Sequence, residues 1–121
     1  MYKDLTEVRE HYAALRDLIA ENPGGREDPA TLGNVSVLCE AAIAALQDPE
    51  CGQHLRLVDQ HAAQLFSAEE HRKWDRPNMT GADYLRLQIL IALESVNTRL
   101  FFLSAMRDRD IPYLAYSADA T

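Results

Sequence analysis

Apolar residues recur at steps of three and four through most of this chain, and the polar positions between them divide it into helices. Leu5, Val8, Tyr12, Leu15 and Ile19 form the first stripe. They predict an amphipathic helix over 4–21, closed by the breaker run Asn22-Pro23-Gly24-Gly25. Asp28-Pro29 then places a capping carboxylate before a proline at the first helical position, where its missing N–H costs nothing. Leu32, Val35, Cys39, Ala42 and Leu46 continue as a helix over 29–47, widened by Leu38, Ala41, Ile43 and Ala45. Glu40 is its single charge between Gly33 and Gln47, so packing on most sides is expected. Asp48-Pro49 repeats the start signal for a helix over 49–66, striped by Leu55, Val58, Ala62, Leu65 and Phe66. Ser67-Ala68-Glu69-Glu70 either caps a short new helix or marks a bend on the way to Trp74, and Asp75-Arg76-Pro77-Asn78 is a turn by composition.

The longest pattern lies between 80 and 109 and predicts a helix over 81–110. Thr80-Gly81-Ala82-Asp83 opens it like a capping box, and Pro112 disfavours helix at Ile111 and closes it. It carries two apolar seams. One is Leu85, Ile89, Ala92, Val96, Leu100 and Leu103; the other is Tyr84, Leu87, Ile91, Glu94, Thr98, Phe101 and Ala105. A helix apolar on two faces belongs at the centre of a bundle or in a subunit interface. No strand-like alternation is present. The expected fold is all-α: an antiparallel four-helix bundle with a long central C-terminal helix. One domain is expected over 1–116, with Tyr113-Leu114-Ala115-Tyr116 strapped back over the bundle and a frayed tail at 117–121.

Composition adds constraints. The 121 residues are 47% hydrophobic and 26% charged, ordinary for a globular domain with a real core. The net charge of −7 falls mainly in the first fifty residues. An acidic surface repels nucleic acid, and the basic cluster Arg72, Lys73 and Arg76 is interleaved with Glu69, Glu70 and Asp75. Arg86, Glu94 and Arg99 interrupt the long helix, so no membrane span is expected, and the N-terminus lacks the apolar stretch of a signal peptide. The expectation is a cytoplasmic protein without nucleic-acid or membrane partners. Two cysteines, Cys39 and Cys51, make no disulfide framework; the first reads as a small core residue.

Searches for chemistry return little. A di-iron bundle needs Glu-x-x-His pairs, and none occurs. Cys51-x-x-His54, with His61 two turns further on, puts three ligand types along one helix, but zinc requires a fourth. No metal or cofactor is therefore expected. Neither a Gly-x-Ser-x-Gly elbow nor a phosphate-binding glycine loop is present. Tyr12, Trp74 and Tyr84 are candidate pocket walls, although aromatic residues at such spacing usually belong to core and rim. Arg56-Leu57-Val58-Asp59-Gln60-His61 is similar to the Arg-x(4–6)-His motif of HEPN ribonucleases, which are helical bundles. That resemblance implies an arginine steadying phosphate and a histidine acting on the ribose hydroxyl or leaving oxygen. Leu57 departs from the pattern, which usually has a polar residue there.

Glu94 resists a bland account. It lies in an apolar sector, where a carboxylate is either buried with a partner or set in an interface; burial alone costs several kcal/mol or a proton. Its candidate partners are His11, Arg16, His61, and Arg99 of a second chain. The reading these features support is a small acidic bundle acting by protein–protein interaction, of a regulatory, adaptor or inhibitor kind, with the question of enzymatic activity left open. A homodimer through Leu87, Ile91, Glu94 and Phe101 is expected. The alternative is a bundle enzyme or ligand binder with a pocket near Glu94 and His61, Arg56 and His61 being the residues of a HEPN-like version.

Overall fold

The computed structural model describes residues 4–108. The chain forms α1 (Thr6–Glu21), α2 (Pro29–Leu46), α3 (Pro49–Leu65), a 3₁₀ segment (Glu70–Trp74) and α4 (Gly81–Asp108), with no strand among the described residues. Each helix packs on the next, and α4 returns to α1, closing a four-helix bundle in which the α3–α4 contact is the broadest. The apolar strap and the frayed tail expected after Pro112 lie outside the described residues.

The predicted starts hold because side chains take up the free N–H groups of each first turn. Asp28 accepts from the Thr31 N–H and hydroxyl (3.2 and 2.6 Å), and these bonds hold its carboxyl below the usual range. Asp48 accepts from the Cys51 N–H at 3.1 Å. Asp4 accepts from the Thr6 N–H at 3.0 Å, so α1 begins two residues later than expected. Thr80 Oγ1 accepts from the Asp83 N–H at 3.1 Å, and Asp75 Oδ1 from the Gly81 N–H at 2.6 Å. Gly81 is needed at this joint: a Cβ there would lie 1.8 Å from the His71 carbonyl oxygen.

Helix ends are also closed by other parts of the chain. Arg86 Nη1 on α4 donates to the Ile19 and Asn22 carbonyls, each at 2.8 Å, capping α1 from across the bundle. The α1–α2 turn folds over the end of α3, where the Gly25 N–H donates to Leu65 O (2.8 Å) and the Asp28 N–H to Phe66 O (3.0 Å). Gly24 and Gly25 hold φ of 75° and 73° there, a region that side chains rarely adopt.

The long helix is matched in length from within the chain. Its 28 residues span about 42 Å, against about 26 Å for α3. The 3₁₀ segment extends the cover over the first turns of α4. Trp74 stacks on Tyr84 there (5.4 Å between centroids, 11° between planes), the Trp74 indole N–H donates to Gln64, and the Arg76 guanidinium lies over both rings. The two aromatics thus fasten α4 to α3, and Tyr12, the third expected pocket wall, accepts from Arg16 Nη1 at 3.2 Å.

The core-facing seam of α4 is as expected: Leu85, Ile89, Ala92, Val96, Leu100 and Leu103 are all buried, joined by Leu93 and Met106. Each fully buried aliphatic side chain of this kind stabilises by roughly 1.5–3 kcal/mol. The expectation for α2 needs correction. Ala30, Gly33, Asn34, Val37, Glu40 and Ala44 are exposed, because α2 occupies a corner that touches only α1 and α3. Its alanines make it apolar in hydropathy without requiring cover. By length and composition alone both α2 and a stretch of α4 would pass for a bilayer span, contrary to the sequence expectation, but each supplies one wall of the bundle core.

Candidate functional site

α4 turns its second seam outward. Leu87, Leu90, Ile91, Phe101 and Phe102 are 39–74% exposed, with Phe101 the most open. At 100° per residue these five fall within one sector opposite the buried stripe. Glu94 and Thr98 lie between them and are exposed too. Soluble monomers rarely expose a contiguous apolar patch of more than a few hundred Å², and a patch of that size marks an interaction site.

Glu94 is therefore not a buried carboxylate. Its side chain is 62% exposed and its nearest cation is Arg16, one of the candidate partners, at 3.8 Å. Such a pair between open side chains contributes little stability. The carboxylate sits outside because the seam it belongs to faces away from the core.

Beside this face, a groove of about 660 Å³ runs between α3 and α4, lined by Glu50 and His54 from α3 and by Ile91, Glu94, Ser95, Thr98, Arg99 and Phe102 from α4. One of its lining residues, Arg99, belongs to a pair the sequence did not disclose. Asp48, fully buried, receives two hydrogen bonds from Arg99, Nε to Oδ2 at 3.0 Å and Nη2 to Oδ1 at 3.1 Å. Arg99 also lies 3.5 Å from Glu50, and its guanidinium rests 5.3 Å from the Phe102 ring centre. Asp48 therefore caps α3 and anchors α4 with the same carboxylate. Arg99, one of four candidate partners of Glu94 and the one placed on a second chain, is committed inside its own chain. No pattern in the sequence joins these two residues; the nearest signal was an arginine standing in an apolar run.

The remaining candidates are dispersed. Arg56 and His61 are five residues apart on α3, so they leave the helix about 140° from one another. Arg56 lines a shallow depression with Ile43, Gln47, Asp48, Pro49 and Gly52, and His61 does not contribute to it. His61 is half-buried, its Nδ1 has no hydrogen-bond partner among the described residues, and burial lowers its pKa. The histidine that accompanies Glu94 in the groove is His54. Cys51 is buried as a free thiol pushed far above its usual range, first by burial and then by the neighbouring Asp48 carboxylate. Burial likewise raises Cys39, to about 12. Among the described residues no group of three or more His, Cys, Asp or Glu side chains is placed to hold a metal ion.

Compared with known proteins, the chain matches no family model, no curated protein and no solved structure.

Proposed function

We propose that this chain is a protein-binding helical bundle, of a regulatory, adaptor or inhibitor kind, and that the outer face of α4 is its contact surface. The observation that carries this reading is the alignment of Leu87, Leu90, Ile91, Phe101 and Phe102, all at least 39% exposed, on one helix face. A partner presenting an amphipathic helix suits it, since a straight apolar stripe is complementary to another such stripe. The test is a photoreactive side chain placed at Leu87 or at Phe101 in cells expressing the protein. A discrete covalent adduct is expected from both positions, and none from Val37, which is 64% exposed on α2. Absence of adducts from 87 and 101, or equal labelling from 37, counts against the reading.

A ligand-binding or catalytic bundle is the second reading, and the α3–α4 groove favours it. Its volume is within the range of small-molecule sites. Its chemistry is thinner. The cation among its lining residues, Arg99, is engaged by Asp48 and Glu50, and its carboxylates lie on the open rim. Saturable heat on titration with a small-molecule library member, abolished by Glu94→Gln with the fold intact, would favour this reading instead.

A further inference from the structure

The outward seam of α4 has an internal symmetry that names an occupant. Tyr84, Leu87, Ile91, Glu94, Thr98, Phe101 and Ala105 follow one another at alternating steps of three and four, the spacing of a coiled-coil seam. Turn a second copy of the helix end over end about a two-fold axis at the level of Val96. From Leu87 to Ala105 each seam residue then meets a seam residue of the other copy, and Tyr84, held against Trp74, stays outside the pairing. Ile91 falls in layer with Phe101, Leu87 with Ala105, and Glu94 with Thr98. The largest open apolar side chain thus meets the branched aliphatic one, twice, as an isologous contact requires.

Charge agrees with this register. Thr98 and Phe101 line a second groove, between α4 and α1, whose other wall is Arg9. Among the described residues Arg9 makes no ion pair, and it is exposed. Glu94 of the second copy, in layer with Thr98, arrives on this same side of the helix. A parallel pairing does the reverse: it sets the two Glu94 carboxylates in one layer, and opposed like charges are destabilising. The area is also of the right order. The five exposed side chains offer roughly 400 Å² of apolar surface per copy, about half of the ~800 Å² per partner of a standard interface.

We infer that the contact face of α4 is occupied by a second copy of this chain, docked antiparallel, with Glu94 of each copy facing Thr98 and Arg9 of the other. The inference rests on the reading of α4 as the contact surface and names the partner. Sedimentation of the purified chain at micromolar concentration is expected to give twice the 13.6 kDa monomer mass. Phe101→Glu should raise the dissociation constant by at least roughly 30-fold while leaving the helical circular dichroism unchanged, since this side chain is mostly in water. Register is read separately by oxidation. Glu94→Cys combined with Thr98→Cys should form a disulfide between copies, and Glu94→Cys alone should not.

A wild-type monomer at 100 micromolar would overturn the self-pairing, whether the chain stays free or sediments with phosphatidylcholine vesicles. The photoreactive adducts would then still decide whether α4 is a contact face. A dimer that survives Phe101→Glu would place the interface elsewhere, and efficient bridging by Glu94→Cys alone would overturn the antiparallel register.

Discussion

Asp48 and Arg99 stand 51 residues apart in sequence and share two hydrogen bonds of 3.0 and 3.1 Å, the only point at which a buried carboxylate meets a guanidinium among the described residues. One end of this pair caps α3 and the other belongs to the middle of α4, so the pair sets the height of one helix against the other. A buried pair of this kind contributes uncertain net stability, but breaking it leaves a charge without its partner.

That asymmetry gives the first prediction. Arg99→Met should cost about 3–5 kcal/mol, because Asp48 stays buried without its guanidinium. Asp48→Asn should cost less, since it keeps the oxygen that accepts from Cys51 and leaves Arg99 within reach of Glu50. The double variant should be more stable than Arg99→Met alone. Urea midpoints at a constant slope measure all three.

Two glycines should respond in opposite directions to alanine. Nothing lies within 4 Å of a Cβ built on Gly33, which is exposed and within α2, so Gly33→Ala should raise stability by about 0.8–1 kcal/mol. Gly81→Ala drives its methyl into the His71 carbonyl and should lower stability by more than about 3 kcal/mol. Thermal melts of the two variants make the comparison.

Arg86→Met should remove two charge-assisted bonds to the end of α1 and cost about 1.5–3 kcal/mol. Hydrogen exchange locates the effect: protection should fall first in the last turn of α1, with the first turn of α3 unchanged.

Acid should act through His61. Its folded-state pKa is lowered by burial, so below the ordinary histidine value of about 6.5 the unfolded chain takes up a proton before the folded one does. Stability from this group is complete above 6.5 and is lost as the pH falls from there towards the folded value. His61→Gln should flatten the dependence of the urea midpoint between pH 7.5 and 5.5, well above the range in which Asp28 and Asp4 take up protons.

The helices were legible because a three-and-four period is a local property. Leu85 to Leu103 and Leu5 to Ile19 announced buried stripes, and Asp28 and Asp48 announced helix starts. Periodicity shows two opposite apolar seams on α4 but does not decide whether Glu94 is buried with a partner or set in an open face; the bundle decides it, by covering the Leu85–Leu103 seam and leaving Glu94 exposed. α2 misled for a related reason. Alanine raises hydropathy whether or not it is covered, so a helix expected to be packed on most sides leaves Gly33, Val37 and Ala44 open. In the groove, the choice between His54 and His61 depends on which side of α3 faces α4, a relation between helices and not a property of either. Asp48 had a complete local explanation as a cap, and nothing in its neighbourhood pointed to a second partner half the chain away.

The glycine turn over the end of α3 decides where this chain can be lengthened. A loop rich in proline and glycine at the surface is ordinarily where insertions are tolerated. Here its main chain is tied to Leu65 and Phe66, and both ties depend on the turn keeping its length. Extra residues among 22–28 would unlace the α1–α2 hairpin from α3 in one step, without touching a core side chain. The turn at Pro77 and Asn78 is the opposite case. Both residues are exposed; the main-chain bonds that close it run between Arg76 and Met79, and the Asp75 carboxylate spans it to the Gly81 N–H. A tag, a reporter domain or a split point belongs between Pro77 and Asn78, where no main-chain tie to another helix is at stake.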